Sequence, residues 1–107
     1  VAYRRLVWPI YAALDLEEIV IDLAAKSPKA AKAVAKRIIS ATERLLDFPY
    51  SGKTVPEFKP PTVRQIIVQD YRVVYELIDE ETVEIWMVTH FRRNFPPEKI
   101  LDRKTFD

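Results

Sequence analysis

The chain has 107 residues, 49% hydrophobic and 31% charged, which suits one domain with a core and excludes a disordered tail. The net charge is +1, no apolar run reaches the roughly 20 residues of a membrane-spanning helix, and no signal-peptide pattern follows the basic start, so the chain reads as cytoplasmic without membrane contact. With no cysteine and one histidine, disulfides are removed, a protein-built zinc site is disfavoured, and no metal or cofactor is expected.

Tyr3-Arg4-Arg5-Leu6-Val7-Trp8 alternates loosely and predicts a short first strand. Pro9 suits the first turn of a helix, where a missing N–H costs nothing. Leu16, Ile19, Val20 and Leu23 then give residues 9–26 one apolar helical face. Ser27-Pro28 ends that helix and starts the next, with serine as N-cap and proline at the first helical position. Ala31, Val34, Ile38, Ala41 and Leu45 continue at spacings of three and four to about residue 47, while Lys29, Lys32, Lys36 and Glu43 occupy the other face. So short a connection predicts an antiparallel helix hairpin. Gly52 is expected to carry a positive φ, and residues 53–61 to form a loop held open by Pro56, Pro60 and Pro61. From residue 63 the period changes to two. Residues 63–68, 71–78 and 82–90 predict three strands, joined by tight turns at Gln69-Asp70 and Asp79-Glu80-Glu81 into an antiparallel meander. A short last helix is expected over 97–104. The fold class is α+β: an N-terminal strand, an antiparallel helix hairpin and a three-stranded antiparallel meander in one sheet, within a single domain over 1–107.

Strict alternation assigns the sheet faces. Tyr71, Val73, Tyr75 and Leu77 share one side of the middle strand, and Val83, Ile85, Met87 and Thr89 one side of the last. Both sets are expected under the helix hairpin. The opposite face then holds Arg72, Val74, Glu76 and Ile78 with Glu84, Trp86, Val88 and His90, joined by Arg64, Ile66 and Val68. That face is too apolar to stand bare in water. A partner chain over Ile66, Val74, Trp86 and Val88 is the simplest cover.

Several short motifs stand in a definite order. Trp8, Ala13, Asp15-Leu16 and Ile19 open the chain; Ser27-Pro28 with Ala30-Ala31 starts the second helix, and Leu45, Pro49 and Gly52-Lys53 close it. Val55-Pro56-Glu57, Val63-Arg64-Gln65, Tyr71-Arg72-Val73-Val74-Tyr75 and the run 83–88 with His90 and Arg93 follow. In this order and spacing, over roughly residues 3–95, they resemble the RelE/ParE superfamily of toxins from type II toxin–antitoxin pairs. Gln65 departs from the pattern, since members usually carry an acidic residue there.

The resemblance implies a cognate antitoxin as partner and one of two activities. RelE-like members cleave messenger RNA in the ribosome, the ribose 2′-hydroxyl attacking its own 3′-phosphate; ParE-like members poison DNA gyrase and cleave nothing. Cleavage needs a base, cations for the phosphorane charge and an acid for the leaving oxygen. By resemblance Glu57, Arg72 and His90 are candidates for these catalytic roles, and ribosome-dependent RNA cleavage is the leading expectation because alternation puts Arg72 and His90 on one face. Lys53, Arg64, Arg92 and Arg93 are candidates to hold flanking phosphates. Each has a structural alternative: Glu57 anchoring its loop, Arg72 pairing with Glu76 or Glu84, His90 ending a strand, Arg92-Arg93 forming a solvated turn. Asn94-Phe95-Pro96-Pro97 stands where active ribonucleases carry an aromatic–histidine or tyrosine cluster, which keeps open the gyrase poison and a degenerate module that only binds antitoxin.

Overall fold

In the computed structural model, residues 3–56, 58, 61–93, 98, 102 and 103 are described. The chain opens with β1 (Arg5–Val7) and turns at Pro9 into α1 (Ile10–Ala24). Pro9 is the N-cap and not part of the helix: its backbone is extended (φ −57°, ψ 156°) and its carbonyl accepts from the Ala12 and Ala13 amides at 3.0 Å each. α2 (Pro28–Arg44) starts as its sequence predicts, the Ser27 hydroxyl accepting from the Ala30 amide at 3.1 Å with Pro28 in the first turn. The two helices form the expected hairpin and lie on one side of the sheet.

The strands are β2 (Lys53–Thr54), β3 (Val63–Val68), β4 (Tyr71–Leu77) and β5 (Thr82–His90). β2 falls within the stretch expected to be loop; two residues are too few to show a period. The five strands form one sheet in the order β1-β5-β4-β3-β2, with β1 parallel to β5 and the other neighbours antiparallel. The tight turn between β3 and β4 is made by Gln69, the one described non-glycine residue with positive φ (54°). Glu98, Asp102 and Arg103 are helical, and the rest of the helix expected over 97–104 lies outside the described residues.

Gly52 does not carry the expected positive φ. Space is its reason instead. A Cβ there would run into the Tyr75 hydroxyl and lie 2.7 Å from the Gln65 carbonyl oxygen. The Tyr75 hydroxyl donates to the Pro49 carbonyl at 2.8 Å and accepts from the Gly52 amide at 3.1 Å. A buried phenol thus ties the exit of the helix hairpin to the centre of the sheet.

One irregularity rearranges the faces. β4 pairs with β5 as Val74↔Met87 and then Tyr75↔Ile85, so Trp86 is an extra residue, a β-bulge in β5. A bulge adds one residue to a period of two, so every side chain beyond it changes sides. Val83 and Ile85 pack under the hairpin as expected, but after Trp86 it is Val88 that joins them, in a core with Ala12, Ile38, Leu45, Val73, Tyr75 and Leu77. Met87 passes to the other face, with Val55, Val63, Val74 and Trp86. β3 is also opposite to its assignment: Ile66 pairs with Val73 and Arg64 with Tyr75, so Arg64, Ile66 and Val68 lie on the hairpin side.

Candidate functional site

The second face is not bare. Val55 and Phe58, from the stretch after β2, fold over it, and the Phe58 ring meets Trp86 edge-on with centroids 5.2 Å apart. Val74 and Trp86 are 2% and 3% exposed, Val88 is buried in the other core and Ile66 is half-buried beside that core. The four residues read as a partner-binding patch therefore do not form one surface. The three prolines of this loop signal irregular backbone in the sequence, but not where that backbone lies.

The catalytic candidates separate in the same way. Tyr71 is the cross-strand partner of His90, and Thr89 is the partner of Arg72. His90 accordingly faces the hairpin side and Arg72 the opposite side, contrary to the expectation from strict alternation. Each is also held locally. One terminal nitrogen of Arg72 donates to the Arg93 carbonyl at 2.9 Å. His90 Nδ1 accepts from the Arg92 amide at 3.3 Å, which leaves the proton of the neutral ring on Nε2. Its ring stacks on Phe91 (5.2 Å, 22°) and meets Tyr71 at 6.0 Å. Glu57 lies outside the described residues. The candidate phosphate holders divide into two distant pairs. Lys53, in β2, pairs with Gln65 next to Arg64 at the start of β3, Arg64 donating to the Gly52 carbonyl at 2.8 Å with its guanidinium 4.9 Å from the centre of the Tyr50 ring. Arg92 and Arg93 stand near the β3–β4 turn, where the Phe91 amide binds the Asp70 carbonyl at 2.8 Å.

A groove of ≈ 610 Å³ runs between α1 and the edge of β5, lined by Asp15, Glu18 and Asp22 of α1, residues 87–90 of β5, and Arg93 and Arg103 among others. It exists because β1 covers β5 only from Thr82 to Glu84. Asp15 closes part of that edge, accepting from the Val88 amide at 3.1 Å and from Arg103 at 2.7 Å. Arg103 also donates to the Tyr11 carbonyl at 2.8 Å and lies over the Tyr11 ring. Burial first, and then the Asp70 and Asp22 carboxylates, push the Tyr71 hydroxyl above its ordinary range. Asp15 stands in the opening motif of the sequence, where nothing local signals a strand edge contributed 73 residues later. Among the described residues no group of three or more metal-ligating side chains comes together, and no helix is long and apolar enough to cross a membrane.

A helix hairpin laid on a sheet whose first strand joins its last in parallel is the architecture of the RelE/ParE toxins. Residues 6–95 match the family described as the ParE toxin of the type II toxin–antitoxin system parDE, and the chain belongs to that family. Among solved structures it is similar to a chain of the chromosomal ParDE toxin–antitoxin system from P. aeruginosa, at 19% identity and a TM-score of 0.67, covering 81% of this chain and 95% of that one. It is also similar to a chain of the RelBE2 toxin–antitoxin complex from Mycobacterium tuberculosis, at 23% identity and a TM-score of 0.57, covering 87% and 95%. No curated protein sequence matches it.

Proposed function

We propose that this toxin is held by a cognate antitoxin and, when free in the cytoplasm, arrests growth by binding DNA gyrase and not by cutting RNA. One observation carries the choice. The bulge at Trp86 leaves Arg72 and His90 on opposite faces of the sheet. Cleavage through the 2′-hydroxyl needs its cation and acid around a single phosphate. An antitoxin is supported by the solved toxin–antitoxin assemblies that share the fold, and by exposed apolar residues along α1, where Ile10, Leu14 and Ile21 are 65%, 51% and 60% exposed.

Inducing the chain without its antitoxin tests the proposal. Intact messages, accumulating DNA breaks and growth arrest that survives His90→Gln are the expected result. Messages cut within codons at the ribosomal A site with 2′,3′-cyclic phosphate ends, and a loss on the order of 10²- to 10⁴-fold in His90→Gln, would overturn it and establish the RNA-cleaving reading.

A further inference from the structure

The helix hairpin is sharply divided in charge. α1 carries Asp15, Glu17, Glu18 and Asp22 and no cation; α2 carries Lys29, Lys32, Lys36, Arg37 and Arg44 against the single carboxylate of Glu43. At 100° per residue the five cations of α2 fall within an arc of about 140°, centred opposite the buried residues Ala31, Ile38 and Thr42. All five are exposed, and none forms an ion pair among the described residues. Three of the four α1 carboxylates, Asp15, Glu18 and Asp22, are drawn to the β5 groove.

We infer that this face of α2 docks on the phosphate backbone of duplex DNA. Three features select that occupant. Lys29 to Arg44 extend along about 22 Å of the α2 axis, a rigid row that a stiff duplex can meet without the ordering cost of a flexible single strand. Within the arc only Ala33, Ser40 and Glu43 stand between the cations; the exposed Ile39 lies about 20° outside it and the Phe48 ring under Arg44, so the arc itself holds no large apolar anchor of the kind protein interfaces are built around. The small residues let the helix approach a phosphate row closely. Attraction of this kind is read as counterion release and carries no sequence preference. Duplex contact by α2 is independent of which target the toxin arrests.

Fluorescence anisotropy of a mixed-sequence duplex with the purified full chain, from 25 to 200 mM salt (about the range over which such binding is measurable), tests the inference. Engagement of three to five cations predicts a slope of log K against log salt of about −3 to −4.5. The variant Lys29→Gln/Lys32→Gln/Lys36→Gln keeps its helix content, because all three side chains are exposed, and its slope shrinks by about two to three. No binding at low salt, or an unchanged slope in the variant, would overturn the inference. So would tighter binding to polyglutamate, which makes the face a protein-docking surface, or to single-stranded RNA.

Discussion

At the scale of single residues, the Tyr75 phenol concentrates more of the fold than any motif around it suggests. It is fully buried, and its hydroxyl serves both the Pro49 carbonyl and the Gly52 amide. Tyr75→Phe keeps the ring but strands two buried polar groups, so a loss of about 1–3 kcal/mol is expected in urea unfolding. Burial also pushes this phenol above its ordinary range, more than the Gly52 N–H and Arg64 pull it down. Folding therefore favours the protonated form, and its contribution is fully present below about pH 10. That contribution disappears as pH rises through the elevated folded value. Between pH 7 and 11 the stability gap between the native sequence and Tyr75→Phe should narrow; a constant gap would assign the whole effect to packing. Gly52 belongs to the same knot. The sequence marks it as a helix-ending glycine, yet what demands it is the arrival of Tyr75 from a strand 23 residues away.

Among elements, strand existence was easier to read than strand facing. Residues 63–68 and 82–90 are predicted to the residue and 71–77 to within one, because their β-branched and aromatic alternation is bounded by turn residues. The faces were not legible, since one added residue in a strand leaves composition unchanged while reversing every side chain after it. That single displacement separates Arg72 from His90 and moves Val88 into the core. The helices show the converse. Their buried stripes are legible in the sequence, but Ile10, Leu14 and Ile21, which align on the outward face of α1, do not stand out there as a surface. On the proposed reading they are anchors for the antitoxin. Leu14→Lys/Ile21→Lys should weaken the complex with the antitoxin from the neighbouring gene by at least about 30-fold, the effect of a lost hot spot of 2 kcal/mol. The melting temperature of the free toxin should change little, because both side chains already face water. Unchanged affinity by calorimetry would place the antitoxin elsewhere.

For the molecule as a whole, one edge of the sheet is closed by a very short strand. β1 has three paired residues, yet it caps β5, and Arg5 reaches the Thr82 hydroxyl at 3.1 Å and Glu81 at 3.3 Å. Leu6, packed on the main core, is the residue to test. Leu6→Pro should lower the melting temperature by at least about 4–8 °C, the shift that 1 kcal/mol produces in a domain of this size. Baring the start of β5 should also promote self-association, visible by sedimentation. A monomer of undiminished stability would mean that the parallel pairing contributes nothing. The same pairing has a consequence in time. β3, β4 and β5 are joined by tight turns and can zip together locally, whereas β1 is made first and must wait for a strand 77 residues downstream. At 5–20 residues per second, that wait is roughly 4 to 15 s. Once α2 is made, and until β3 and β4 follow it, the helix hairpin has no meander to bury its apolar side against, so a half-made chain is a stretch of unspent hydrophobic surface and not yet a toxin. The cell that makes this protein is given those seconds, each time, to meet the chain with something else.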